Sequence, residues 1–275
     1  MNFYLLGYPV GHSVSPPMHN SAFNELGMPH HYSLLEVLPH KLSKIIDSKI
    51  RVDSFGGANI TIPHKITIKK YMDELAESAN KAGAVNTLEY RDGVLRGHNT
   101  DAIGGVRALE EVYGSLSNVS IVLLGAGGAA NALTTELISK VKEITILNRS
   151  IERAKTLSCR LGEKVGYGSL SEDLAIIESA DILINTTPLG MAPKTNESPV
   201  DPSFLHSGLL VYDIIYNPLK TRLILDSENI GAKTLGGLWM LVYQGVEAFK
   251  IWTGIEPNAQ TMYVAALEAL EVMRH

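Results

Sequence analysis

Lys65 closes the segment Asn59-Ile-Thr-Ile-Pro-His-Lys65, just past Pro63 and near the start of an expected helix. A cation there opposes the positive end of the helix dipole, which favours release of a proton, so this lysine is placed for general acid/base work. Lys69 and Lys70, on the same segment, supply the solvated face that would otherwise claim it. Asp101 ends Gly97-His-Asn-Thr-Asp101 and is expected in the first turn of a helix capped by Asn99 or Thr100. A carboxylate is stabilised in that turn, though an ordinary helix start needs no more than this. Asn59 and Thr61 share one face of an expected strand and Ile60 and Ile62 the other, a wasteful pattern if helices cover both faces. Ser13 and Ser15, in Gly11-His-Ser-Val-Ser-Pro16, can lie on one side of an extended segment and bind one small polar group. Helix capping by Ser15 would account for one of them but not the other. Asn86 interrupts the apolar run Ala84-Val-Asn-Thr87 and needs a partner if buried.

A second set of residues points to a nucleotide. Ile121-Val-Leu-Leu-Gly-Ala-Gly-Gly-Ala-Ala130 reads as strand, glycine-rich turn and helix. Gly125 permits the tight turn, Gly127 removes a side chain that would keep a pyrophosphate off the backbone, and Ala130 lets the helix pack closely. Ala126, Gly128 and Ala129 complete the loop, whose free N–H groups favour an anion. The next strand ends in Asn148-Arg149-Ser150, with Arg153 close behind, where NAD sites usually carry Asp or Glu. Guanidiniums offer a planar fork to phosphate oxygens, so the expected cofactor is NADP(H) rather than NAD.

The elements that must position these groups alternate along the chain, which indicates α/β architecture with mostly parallel sheets. Strands are expected at Phe3–Leu6, Tyr32–Val37, Gly57–Ile62, Ile182–Asn185, Leu209–Ile215 and Ala232–Leu235, with a hairpin from Ala84 to His98 about Asp92-Gly93. Helices are expected at Pro16–Leu26 with Ser15 as cap, Lys41–Ser48, from Asp73, and at Asp101–Tyr113, Leu238–Trp252 and Asn258–Met273. Pro188 to Pro202 reads as a loop. Gly114 to Asn118 is the most turn-like stretch before the nucleotide unit, so residues 1–113 are expected to form one domain and 114–237 a Rossmann domain. The terminal helices, 238–275, are expected to complete the first domain.

With 275 residues, 45% hydrophobic and 19% charged, the chain has globular composition. A net charge of −5 with interspersed signs gives no nucleic-acid or anionic-membrane footprint. The N-terminus lacks a signal-peptide pattern and no apolar run approaches the roughly 20 residues of a membrane helix. The single cysteine, Cys159, has no internal partner, which suits a reducing compartment, so a cytoplasmic protein is expected. None of the nine histidines has metal-ligand spacing with a third ligand nearby, and no metal is expected. Spacing alone reaches an NADP-dependent oxidoreductase acting on a small polyhydroxylated or carbonyl substrate.

The segments Gly11–Pro16, Ala58–Lys65, Gly83–Thr87, Gly97–Asp101, Gly125–Ala129, Asn148–Ser150, Asn185–Met191, Tyr212-Asp213 and Gly236–Gln244, in this order, resemble the shikimate dehydrogenase family over nearly the whole chain. The resemblance implies a substrate domain and a Rossmann domain, with both ligands in a cleft between them. It also implies reversible NADPH-dependent reduction of 3-dehydroshikimate to shikimate, on the way to chorismate and the aromatic amino acids. By position, Lys65 and Asp101 resemble the catalytic pair. Ser13 and Ser15 match the residues binding the substrate carboxylate, and their pairing resembles the shikimate-specific branch more than dual quinate/shikimate enzymes. Asn59, Thr61, Asn86 and Gln244 match contacts to ring hydroxyls, and Tyr216 a further substrate contact. Thr186, Thr187, Ile214, Gly237 and Met240 match the nicotinamide side, and Glu77 a position tied to the cofactor. A methylenetetrahydrofolate dehydrogenase would lack the paired serines and the Asn-Thr-Asp segment, and a non-catalytic NADPH sensor would have lost Lys65 or Asp101. A monomer or a homodimer is compatible with the resemblance.

Overall fold

The computed structural model describes residues 1–273, so the last two residues of the expected C-terminal segment lie outside the described residues. It divides into two compact units, Met1–Gly104 with Val242 onward, and Gly105–Leu241. The cuts fall inside the helices Asp101–Tyr113 and Leu238–Thr253.

The first unit begins with β1 (Asn2–Gly7), α1 (Ser15–Glu25), β2 (His31–Glu36), α2 (Leu42–Ile45) and β3 (Phe55–Ile60). It continues through α3 (His64–Thr67), β4 (Glu74–Leu75), α4 (Glu77–Ala82), β5 (Thr87–Arg91) and β6 (Val94–His98) into α5 (Asp101–Tyr113). Its six-stranded sheet has the order β2-β1-β3-β5-β6-β4. β1 runs parallel to both neighbours, while β5 is antiparallel to β3 and to β6. Leu6, Ile60, Leu88 and Leu95 from the strands bury against Val37, Leu42, Ile46 and Ile68, which holds the β3–α3 junction in place.

Several sequence expectations shift here for physical reasons. Ser15 is the first residue of α1 and not its cap, which is Val14. With Ser15 as cap the second and third helical positions would be Pro17, which has no N–H, and Met18, whose N–H donates to Val14 O at 3.2 Å. Ser13 Oγ instead accepts the Ser15 N–H at 3.2 Å. β3 stops at Ile60, so Ile62 is 73% exposed rather than packed beside Ile60. Asp73 does not begin a helix. Glu74 and Leu75 pair with Arg96 and Gly97 of β6, and the helix starts at Glu77. The expected helix at Lys41–Ser48 is a short α-turn followed by a π-helical turn, Ile46–Ile50.

The second unit holds β7 (Ser120–Leu124), α6 (Gly128–Leu137), β8 (Glu143–Asn148), α7 (Ile151–Leu161), β9 (Val165–Ser169), β10 (Ile182–Asn185), β11 (Leu210–Asp213), α8 (Arg222–Asn229) and β12 (Lys233–Gly236). All six strands are parallel, in the order β12-β11-β10-β7-β8-β9. This is the doubly wound Rossmann order, with its switch point between β7 and β10. The strands read as nearly continuous apolar runs because helices cover both faces, and Val122, Leu124, Leu147, Leu183 and Val211 are all buried.

The chain ends in α9 (Leu238–Thr253) and α10 (Ala259–Val272). α10 packs on α1, and Trp252 of α9 donates its indole N–H to Leu88 O at 2.9 Å. Phe249 and Trp252 join Phe3, Phe23, His19 and Tyr32 in one aromatic cluster of the first unit. Among the described residues, no helix is long and apolar enough to cross a membrane.

Candidate active site

Lys65, in α3, donates from Nζ to Asp101 Oδ2 at 2.6 Å, with side chains 32% and 26% exposed. The other carboxylate oxygen accepts from Asn86 Nδ2 at 2.8 Å. Asp101 is the first residue of α5, and its N–H donates to Asn99 Oδ1 at 3.1 Å, so Asn99 rather than Thr100 makes the side-chain cap contact. Asn86 lies one residue before β5, not on it, yet its backbone is tied on both sides. Ile60 N–H donates to Asn86 O at 2.7 Å, and Asn86 N–H donates to His98 O at 3.0 Å.

The Asn86 amide is oriented by two further donors. Thr100 N–H and Thr87 Oγ1 both donate to Asn86 Oδ1 at 2.8 Å, which turns Nδ2 towards Asp101. Thr87 Oγ1 also accepts from Asn59 Nδ2 at 3.2 Å, and Asn59 Oδ1 accepts from the buried Tyr32 hydroxyl at 2.9 Å. Burial holds the Tyr32 phenol well above its ordinary pKa, with Ser15 and Asn59 opposing that shift. A connected chain of hydrogen bonds therefore runs from Tyr32 through Asn59, Thr87 and Asn86 to Asp101 and Lys65. Satisfied polar networks of this kind rigidify a site.

Gln244 joins from α9, where its Oε1 lies 3.4 Å from Asn86 Nδ2. Gly104 makes this approach possible: a Cβ there would overlap the Gln244 backbone N and lie 2.7 Å from its Cα. Ser13 Oγ donates to Ser15 Oγ at 3.1 Å, so the two hydroxyls do point together. Thr61 follows β3, its N–H donating to Leu6 O at 2.9 Å. Sequence reasoning misses Tyr32, Thr87 and Thr100, whose only signal is a polar group in a run that becomes buried.

In the second unit, Gly125 follows β7 with φ +106°, a region that favours glycine, and a Cβ there would sit 2.6 Å from Thr186 Oγ1. Thr186 Oγ1 in turn donates to Leu124 O at 2.6 Å. Gly127 caps α6, and nothing lies within 4 Å of a Cβ built on Gly127 or Gly128. The first turn of α6 is thus open to a ligand, while Ala130 is fully buried as close packing requires. Ala126, Gly127, Gly128, Asn131, Arg153, Thr156, Leu157 and Arg160 line a pocket of about 410 Å³. These residues fit a dinucleotide phosphate: open backbone N–H groups, a helix N-terminus and cations. Asn148 Nδ2 donates to Ser150 O at 2.9 Å, shaping the turn that carries the exposed Arg149.

The ends of β10 and β11 are joined by a buried network. Asp213 Oδ2 accepts from Thr221 Oγ1 at 2.7 Å, and its Oδ1 accepts from Ile215 N–H and Asn185 Nδ2, both at 3.1 Å. Asn185 Oδ1 accepts from Thr187 N–H at 2.9 Å and from Thr187 Oγ1 at 2.7 Å. Burial raises the Asp213 carboxyl above its ordinary value while these donors hold it back. Ile214 N–H donates to Asn185 O at 3.2 Å and Gly237 N–H to Ile215 O at 3.2 Å, and Met240 packs near Gly105. Tyr216 is half-buried just beyond β11, and desolvation raises its phenol pKa. Glu77 belongs to the first unit, where it forms a 2.7 Å ion pair with Lys81 that lowers its carboxyl pKa. Among the described residues, no three His, Cys, Asp or Glu side chains are grouped to hold a metal.

Comparison with known proteins agrees with both units. Residues 5–88 match the shikimate dehydrogenase substrate binding domain, residues 107–197 shikimate/quinate 5-dehydrogenase, and residues 237–267 the shikimate 5′-dehydrogenase C-terminal domain. The chain is 44% identical to the shikimate dehydrogenase (NADP(+)) of Methanocaldococcus jannaschii, over 97% of this chain and 96% of that one. A crystal structure of shikimate dehydrogenase in complex with NADP+ matches with a TM-score of 0.90 at 44% identity, covering 98% of this chain and 95% of the other. The Thermus thermophilus shikimate 5-dehydrogenase in complex with NADP(H) and shikimate matches with a TM-score of 0.88 at 32% identity, over 98% of this chain and 99% of that one. With 44% identity over almost its full length, three matching domain models and a TM-score of 0.90, the chain belongs to the shikimate dehydrogenase family.

Proposed function

We propose that this protein catalyses the reversible NADPH-dependent reduction of 3-dehydroshikimate to shikimate. The observation that carries the reading is the Lys65–Asp101 pair, with Asp101 held on its other oxygen by Asn86. When bound, NADPH supplies the hydride to the carbonyl carbon. Lys65 gives a proton from Nζ to the carbonyl oxygen as that oxygen becomes a hydroxyl, and takes it back in the reverse direction. Asp101 orients the Lys65 ammonium through Oδ2 and bonds a ring hydroxyl. Asn59, Thr61, Asn86 and Gln244 bind the remaining ring hydroxyls, and Tyr216 adds a substrate contact. Ser13 and Ser15 donate to the substrate carboxylate; freed of each other, their hydroxyls present two donors at the start of α1.

Gly125, Ala126, Gly127, Gly128 and Ala129, at the N-terminus of α6, would hold the cofactor pyrophosphate through backbone N–H groups. Asn148, Arg149, Ser150 and Arg153 bind the 2′-phosphate, since a cation replaces the carboxylate that would select NAD. Thr186, Thr187, Ile214, Gly237 and Met240 would line the nicotinamide side, and Glu77 would be a further cofactor residue. The lone, exposed Cys159 supports a cytoplasmic setting. Purified protein mixed with 3-dehydroshikimate and NADPH should form shikimate, measured by chromatography, in step with NADPH consumed. Loss of NADPH without shikimate, or no reaction at all, would overturn the assignment.

A further inference from the structure

Helix α7 carries Thr156, Leu157 and Arg160 three, four and seven residues after Arg153, which puts all four on one face. That face and the first turn of α6 form the walls of the 410 Å³ pocket. Arg153 and Arg160 are both exposed and stand seven residues apart, roughly 10 Å along the helix axis, so one cation lies at each end of the pocket wall. Long helical side chains lean back towards the N-terminus, which brings the Arg160 guanidinium up towards the glycine-rich turn.

Asn131 fixes it there. Arg160 Nη2 donates to Asn131 Oδ1, and Asn131 N–H donates to Gly127 O at 2.9 Å, tying the side chain's anchor to the turn itself. Because a guanidinium can only donate, the Asn131 amide turns its oxygen to Arg160 and its NH2 the other way. The groups collected here are donors and positive charge, and neither arginine pairs with a carboxylate among the described residues. Such a set fits a phosphate group.

We propose that Arg160, positioned by Asn131, is a further phosphate-binding residue of the cofactor site. The proposal rests on the NADP reading above and adds to it a residue lying outside the Asn148–Arg153 segment. Its partner is either the 2′-phosphate or the pyrophosphate, which share the same chemistry.

Isothermal titration of the full-length protein with NADP+ and with NAD+ separates the cases, using wild type, Arg160→Gln, Asn131→Ala, and Lys155→Gln as a control for lost charge on the same helix outside the pocket. Arg160→Gln should weaken NADP+ about 10-fold, as loss of one charge-assisted hydrogen bond gives. Asn131→Ala should show a smaller loss in the same direction, and Lys155→Gln less than about 2-fold, as an exposed charge off the pocket gives. A loss confined to NADP+ assigns Arg160 to the 2′-phosphate, and an equal loss for NADP+ and NAD+ assigns it to the pyrophosphate; either supports the proposal. Wild-type affinity in Arg160→Gln, with normal binding by the wild-type protein, overturns it and leaves the NADP reading standing. Failure of the wild-type protein to bind NADP+ would instead overturn that reading, and the proposal with it. Arg160 is exposed, so its substitution leaves the core intact, which matching thermal unfolding curves will verify.

Discussion

Lys65 Nζ sits 2.6 Å from Asp101 Oδ2, although 36 residues separate them in the chain. Asp101 is the first residue of α5 and Lys65 the second of α3, and the strands β3, β5 and β6 bring those two helix starts to one end of the first unit's sheet. Proton transfer needs a donor within hydrogen-bond reach of the reacting oxygen and held in one orientation. Asp101 provides the hold, and Asn86 fixes Asp101.

Loss of Lys65 should therefore act on the chemical step. Lys65→Ala is expected to lower kcat about 10²–10⁴-fold with a much smaller change in KM, the range for removal of a general acid/base. Steady-state kinetics with shikimate and NADP+ will measure this. Turnover near the wild-type level would remove Lys65 from the mechanism.

Cofactor selectivity should reside at the end of β8. Arg149→Ala is expected to raise KM for NADP+ by about 10-fold or more, from loss of a charge-assisted contact, while leaving NAD+ nearly unchanged. Parallel KM measurements with the two cofactors decide it; equal losses for both would refute assignment of Arg149 to the 2′-phosphate.

Gly104 should be intolerant of a side chain. A Cβ at this position would overlap the Gln244 backbone and push α9 away from α5. Gly104→Ala is expected to destabilise the fold by about 1–3 kcal/mol, the usual cost of overpacking, and to raise KM for shikimate by moving Gln244. Denaturant unfolding together with KM will test both effects. Wild-type values in both would mean that the contact yields freely.

Stability should fall on the acid side through His19. This imidazole is fully buried against Tyr32, and desolvation pulls its pKa from 6.5 to about 3, with the nearby Asn59 opposing only in part. Neither ring nitrogen has a hydrogen-bond partner among the described residues. A lowered folded-state pKa means that the unfolded chain binds the extra proton below pH 6.5. Stability is therefore lost as pH falls from about 6.5 towards 3. For His19 alone the loss from about pH 7 to about pH 5 amounts to about 2 kcal/mol. Burial shifts His98 in the same direction despite Glu89, and adds to the trend. Urea unfolding across this range should show the decline, and His19→Phe should flatten it. An unchanged slope in that variant would exclude His19 as the source.

The parts of the fold legible in the sequence are those with strong local punctuation. Asp101–Tyr113 and Ile182–Asn185 have the same bounds in both readings, the first set by the Asn-Thr-Asp start and Gly114, the second by its short apolar run. β9 is not legible because Val165-Gly-Tyr-Gly-Ser169 contains two glycines and forms an edge of the sheet, where packing on β8 and not local propensity makes it a strand. α8 is too short to declare itself by periodicity, although Thr221 caps it, accepting from Ile224 N–H at 3.3 Å. Of the site, motifs single out Lys65, Asp101 and Asn86, which the structure brings together. The orienting groups Tyr32, Thr87 and Thr100 are not, because their role depends on burial and on partners distant in sequence. Arg160 is equally hidden, since its relation to Asn131 exists only once α6 and α7 lie side by side.

The most direct measurement is reduction of cofactor, followed by its near-ultraviolet absorbance, with purified protein and each pairing of shikimate or quinate with NADP+ or NAD+. Fast reduction with shikimate and NADP+ alone is the expected result. Comparable rates with quinate or NAD+ would place the protein among dual-specificity enzymes. Silence in all four pairings would contradict a catalytic role for the Lys65–Asp101 pair.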